Sequence, residues 1–141
     1  MIEKKLHNLR KIILDRKSSV TRQLIQNHYA EICIICGDTR DLTKEHVIPK
    51  WLFKNDQKKT FIQTLNEVNQ TYSKTTVFAC KYCNNELLSS LETYIQQLFN
   101  SVDLSEDFFD ENQLDKLILW LEIIDYKLQI LDLRRKFNKS P

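Results

Sequence analysis

The sequence predicts an α+β fold, mostly α by content, in which a small stranded core is flanked by N-terminal and C-terminal helices. Three observations predict it. Apolar residues recur every three or four positions at both ends of the chain, which is helical spacing. In the middle, two short runs rich in β-branched residues, at 42–48 and 75–79, read as strands. Two CxxC pairs, Cys33/Cys36 and Cys80/Cys83, bracket both runs, and four thiolates in two pairs can close one tetrahedral zinc site. Of the 141 residues 42% are hydrophobic and 28% charged, so the chain can build one core and is not of the disordered class.

Residues 2–17 form the first expected helix, with Ile2, Leu6, Leu9 and Ile13 alternating at spacings of four and three. Ser18-Ser19 marks a break, and 20–29 make a second helix with Leu24 and Ile25 on its apolar side. The first cysteine turn covers 31–37. The extended segment 42–48 ends at Pro49, which has no N–H to give a neighbouring strand. Residues 54–76, rich in Lys, Gln, Asn and Thr, read as a loop with at most one short helix near 61–65. The second strand leads into Cys80. From Glu86 the spacing turns helical again, with Leu87, Leu91, Tyr94/Ile95 and Leu98 on one face.

An acidic linker at 103–112 precedes a last helix over 113–137. There Leu114, Leu117, Leu121, Ile124, Leu128 and Leu131 form a heptad-like seam, widened by Ile118, Trp120, Ile123 and Ile130. A helix this apolar buries much of its circumference, against the rest of the chain or against a second copy in a homodimer.

The zinc reading extends to the residues beside the thiols. Gly37, the only glycine in the chain, directly follows Cys36, where a knuckle turn requires φ > 0. Asn84 holds the matching place after Cys83, and Asn tolerates that conformation next best. A structural zinc contributes on the order of 10 kcal/mol to folding, which matters for strands too short to be stable alone. The chain has no stretch of about 18 apolar residues, so no membrane span is expected, and its start lacks the apolar run of a signal peptide. A cytoplasmic, reducing compartment is therefore expected, where CxxC pairs favour metal over disulfides. A thioredoxin-like redox pair competes as the reading of one CxxC; two of them, 43 residues apart, weigh against it.

Three histidines supply the other candidates. His7 and His28 lie in expected helices and are assigned to the surface. His46 follows Glu45 at the end of an apolar extended segment. Adjacent strand side chains point to opposite faces, but at a strand end or bulge both can reach one site. Such a pair offers a carboxylate to Mg²⁺ and a neutral imidazole to deprotonate water; the plainer reading is a surface Glu beside a packed His. The net charge of +2 conceals an asymmetry: +5 over residues 1–30, +1 over 31–90 and −4 over 91–141. The basic front suits a polyanion, and solvated helix faces explain it equally well.

Together, Cys33-x-x-Cys36-Gly37, the run Leu42-Thr43-Lys44-Glu45-His46-Val47-Ile48-Pro49-Lys50-Trp51-Leu52, and Cys80-x-x-Cys83-Asn84-Asn85-Glu86-Leu87 through Glu92 resemble the HNH endonucleases of the ββα-metal class, across residues 31–95. The resemblance implies a ββα-metal (HNH) core in which two strands and a helix clasp a catalytic Mg²⁺ or Mn²⁺ that serves DNA hydrolysis, while a separate structural Zn²⁺ holds the ends. It assigns Glu45 as the first metal ligand, His46 as general base and Asn84 as the ligand at the helix start. Asn85 or Glu86 is the alternative ligand there, and Glu92 is a further candidate ligand whose plainer reading is a carboxylate on the helix surface.

Lys44, Lys50, Lys54, Lys58 and Lys59 would meet phosphates. The chain departs from the family pattern at Lys74-Thr75-Thr76-Val77, where an asparagine is usual, and at Trp51-Leu52-Phe53-Lys54, where Gly-Gly is usual. The implied organisation is a basic helical extension at 1–30, the zinc-stapled core at 31–100, and an acidic linker with a long helix at 101–141. A metal-dependent DNA endonuclease is the leading expectation, with RNA left open as the substrate. A catalytically inactive zinc module that binds nucleic acid or a protein partner is the alternative.

Overall fold

The N-terminal apolar spacing produces one helix rather than two. The computed structural model describes residues 2–27, 30–54, 60–63, 68–103, 105 and 108–138, and in it α1 runs unbroken over Ile2–Gln26. Leu6, Leu9, Ile13, Val20 and Leu24 all bury on one stripe, so continuous packing outweighs the weak helix preference of Ser18 and Ser19. Ile25, expected on the apolar side, is half exposed.

The first cysteine turn folds back onto the strands. Gly37 takes φ +80, and its N–H donates to the Cys33 carbonyl at 2.9 Å. The Ile34 N–H donates to the Phe78 carbonyl and the Lys81 N–H to the Asp41 carbonyl, which fasten the turn beside the core hairpin. That hairpin pairs β1 (Leu42–His46) antiparallel with a later strand, Thr76–Cys80, in unbroken register from Leu42↔Cys80 to His46↔Thr76. Past β1, Val47 is fully buried and its N–H donates to the Thr75 carbonyl. Pro49 then stands at the N-cap of a short helix, α2 (Lys50–Phe53).

Between them lies a second hairpin, β2 (Thr60–Gln63) against β3 (Val68–Thr71), where the sequence reading expects a loop with a short helix. Thr60, Phe61, Ile62 and Val68 favour the pleat, a local signal that the polar composition of 54–76 conceals. A 3₁₀ turn, Tyr72–Lys74, leads into β4 (Thr76–Cys80).

Helix follows β4 at once, from Lys81 rather than from Glu86. Its first stretch, Cys83–Leu88, is wound as a π turn in which the Ser89 N–H reaches the Asn84 carbonyl, and α3 (Ser89–Ser101) continues it. The last helix, α4 (Glu111–Asn138), begins two residues before the expected start. Asp110 and Gln113 exchange side-chain to backbone hydrogen bonds of 2.8 and 2.9 Å, a capping box that the acidic composition of 103–112 masks.

One hydrophobic cluster joins α1, the cysteine turn, the β1–β4 hairpin, α3 and α4. The face that α4 gives to it is Leu119, Trp120, Ile123, Tyr126 and Ile130, with Lys116 and Lys127 among them. The expected seam does not supply that face: Leu114 and Leu121 are exposed, while Leu117, Ile124, Leu128 and Leu131 lie at its margin. Trp51 stacks on Trp120 at 5.8 Å, and Phe99 meets both rings edge-on at 5.9 Å, anchoring α2 to α3 and α4. Among the described residues, no helix is long and apolar enough to cross a membrane.

Candidate functional site

Folding brings the four cysteines into one cluster. Two backbone turns do so, one before β1 and one at the end of β4, and the ladder between Leu42 and Cys80 sets their separation. The four Sγ atoms lie within 4.8 Å of one another, Cys36 and Cys80 are 3.8 Å apart, and all four thiols are unbridged. Sulfurs about 2.3 Å from a tetrahedral zinc stand about 3.8 Å from each other, so the donor set and its spacing fit that ion. The Cys83 N–H also points at the Cys80 sulfur, at 3.4 Å, as knuckle turns require.

The thiols perturb one another. Cys33 falls to about 5, first because the Cys83 thiol donates to its thiolate. Cys36 rises to about 11, mainly through burial, and Cys83 is pushed up chiefly as the donor to Cys33. One negative charge can thus spread over the cluster, and a second is opposed until a cation neutralises it. Tyr126 of α4 donates its hydroxyl to the Ile34 carbonyl at 2.7 Å, and Arg134 lies over the Phe78 ring, so the last helix braces the cysteine turn.

Asn84 differs from the expectation. It lies in the π turn with helical backbone, and Asp41 is the only non-glycine residue of positive φ among those described. The CxxC turn at Cys83 runs directly into helix, so no left-handed residue is needed there. Its amide nitrogen instead donates to Thr43 Oγ1 at 2.9 Å, and Thr43 donates to the Ala79 carbonyl at 2.8 Å. This chain docks the helix start onto β1. Asn85, the alternative ligand, is exposed, and neighbouring Glu86 pairs with Lys5 at 3.5 Å.

Glu45 and His46 are parted by the pleat. The regular register leaves no bulge between them, so their side chains take opposite faces of β1. Glu45 is buried, and its Oε1 accepts from Lys127 Nζ at 3.1 Å. His46 is partly buried on the other face, its ring 6.2 Å from Phe53, which stacks on Tyr72 at 4.8 Å. Burial, then the charge of Lys50, lower its pKa below the usual 6.5, so the imidazole is neutral at pH 7. Lys44, Lys50 and Lys54 are exposed, and Lys44 shares the His46 face by strand alternation. Lys58 and Lys59 fall outside the described residues, as does His28; His7 is exposed as expected.

Glu92 corrects the surface assignment. Only 26% of its side chain is exposed, and its Oε1 lies 4.0 Å from the Lys127 Nζ that also holds Glu45. Burial pushes it up to about 7, Lys127 opposes that, and Glu45 adds to it. Glu45 and Asn84 as placed do not fit the implied divalent cation. An ion on Glu45 would lie within a few ångströms of a buried ammonium, and like charges repel strongly there.

Lys127 is the residue that sequence reasoning passes over, and Glu92 faces inward where the plainer reading puts it on the surface. A lysine among Ile123, Tyr126 and Ile130, on what is otherwise an apolar stripe, is the signal that exposes the first. No family model, curated protein or solved structure matches this chain.

Proposed function

We propose that this chain hydrolyses phosphodiester bonds in DNA as a zinc-stapled endonuclease of the ββα kind, with His46 as general base. The observation that carries the reading is the setting of His46. It ends β1, it is neutral at pH 7, it shares a strand face with Lys44, and it feels the charge of Lys50. The order of strand, strand and helix inside the cysteine staple supports it, with Asn84 opening the helix against β1.

In this reading Cys33, Cys36, Cys80 and Cys83 hold a Zn²⁺ whose contribution is structural. His46 accepts the proton of the water that attacks phosphorus, and Lys44, Lys50 and Lys54 hold the phosphate. No step runs through the implied Mg²⁺ or Mn²⁺, because Lys127 already neutralises Glu45. That ion pair favours a second reading, a zinc module that binds nucleic acid or a protein without cutting.

The test is supercoiled-plasmid cleavage by zinc-loaded protein with Mg²⁺, with Mn²⁺ and with neither, beside His46→Ala. The expected result is cutting by the parent and a loss of about 10² or more in the variant at unchanged zinc content. Equal cutting would remove His46 from its role. Retained DNA binding without cutting under every condition decides for the binding module.

A further inference from the structure

An ammonium group sits where the ββα resemblance implies a divalent cation. Lys127 extends from the buried face of α4 with 2% of its side chain exposed. Its Nζ lies 3.1 Å from Glu45 Oε1, 3.1 Å from the His46 carbonyl oxygen and 4.0 Å from Glu92 Oε1. Oxygens from β1 and α3 thus converge on one positive charge carried by a third element.

We propose that Lys127 is a cation built into the chain, which holds the Glu45–Glu92 pair together and keeps divalent ions off it. Two carboxylates that approach one point, Glu45 buried and Glu92 partly so, require a counter-charge, since an unpaired buried carboxylate is strongly destabilising. The ammonium supplies it through direct hydrogen bonds to Glu45 and to a backbone carbonyl. A Mg²⁺ ion needs oxygens at about 2.0–2.1 Å and a Ca²⁺ ion at about 2.3–2.6 Å; either, on Glu45, would stand against Nζ.

The ammonium cannot easily swing aside. Its backbone lies between the buried side chains of Ile123, Tyr126 and Ile130, so withdrawing it means lifting α4 from the core. The charge a metal would bring is therefore fixed by folding. Any cation that cleavage requires is then bound away from Glu45.

This inference stands apart from the nuclease reading, because metal binding is measured without nucleic acid. Zinc-loaded protein is titrated with Mn²⁺, followed by calorimetry and by the electron paramagnetic resonance of free Mn²⁺. The wild type is expected to show no site that Glu45→Gln removes. Lys127→Ala is expected to gain one Mn²⁺ site, about tenfold or more tighter than any in the wild type, and to lose it again when Glu45→Gln is added.

A wild-type Mn²⁺ site abolished by Glu45→Gln overturns the proposal. So does a folded Lys127→Ala protein that takes up no Mn²⁺. Where Lys127→Ala is unfolded without metal, recovery of its helical circular dichroism by Mn²⁺ but not by Na⁺ is the expected result. Failure of Mn²⁺ to restore it overturns the proposal equally.

Discussion

His46 and Glu45 are neighbours in sequence, yet the pleat gives them different chemistry. Glu45 faces α3 and α4, where the Lys127 ammonium lies 3.1 Å from its Oε1. His46 faces outward, where partial burial and Lys50 favour its neutral form. A general base works only when neutral, and a lowered pKa extends that form to lower pH. The acid limb of the cleavage profile should therefore inflect below pH 6.5, the usual histidine value. An inflection above 6.5 would assign the limb to another group. The depressed pKa also means that His46 protonation opposes the fold, so its contribution to stability, present above pH 6.5, falls as the pH drops below that value.

At the scale of elements, two features organise the chain: paired cysteine turns and a last helix with apolar residues on opposite sides. The turns tie β1 to β4 and to the start of helix, and strands this short need that tie. Replacing Cys80 by Ser should abolish zinc uptake and unfold the hairpin; a folded, zinc-free variant by circular dichroism and elemental analysis would show the metal is dispensable. On α4, Ile130 is 2% exposed and Ile118 is 50% exposed. Ile130→Ala should lower the unfolding free energy by about 2–5 kcal/mol in denaturant titrations. Ile118→Ala should change it by less than about 0.5 kcal/mol. The reverse order would mean that α4 turns its other face to the core.

Across the whole molecule, the basic front and acidic rear of the sequence meet each other. Arg10 of α1 pairs with Asp115 at 2.9 Å and Glu122 at 3.7 Å on α4. Part of the N-terminal charge thus serves contact between helices, and such exposed pairs add little stability. Lys44, two positions before His46 on β1, and Lys50 and Lys54, which follow it in the chain, are exposed cations. DNA affinity should fall steeply with salt, and replacing these three by Ala should flatten the slope of log affinity against log salt by about 3. Arg10→Ala should leave that slope nearly unchanged, and an equal effect would place α1 on the DNA as well.

The sequence by itself determined the helical ends, the core strands and the four-thiol cluster, because each rests on a local signal: residue spacing, β-branching or a CxxC turn. It also singled out Gly37, whose positive φ only glycine adopts freely. The sequence points to the wrong face of α4: the seam from Leu114 to Leu131 reads as the buried stripe, yet Leu119, Trp120, Ile123, Tyr126 and Ile130 take that place. Apolar residues lie on opposite sides of the helix, and local spacing does not choose between them. The β2–β3 hairpin was hidden by polar composition, and the start of α4 by an acidic stretch in which Asp110 proves to be the cap. Only the tertiary structure decided the surroundings of Glu45. Lys127 and Glu92 lie 82 and 47 positions away in the chain, and no local pattern tells a strand which charge a distant helix will press against it.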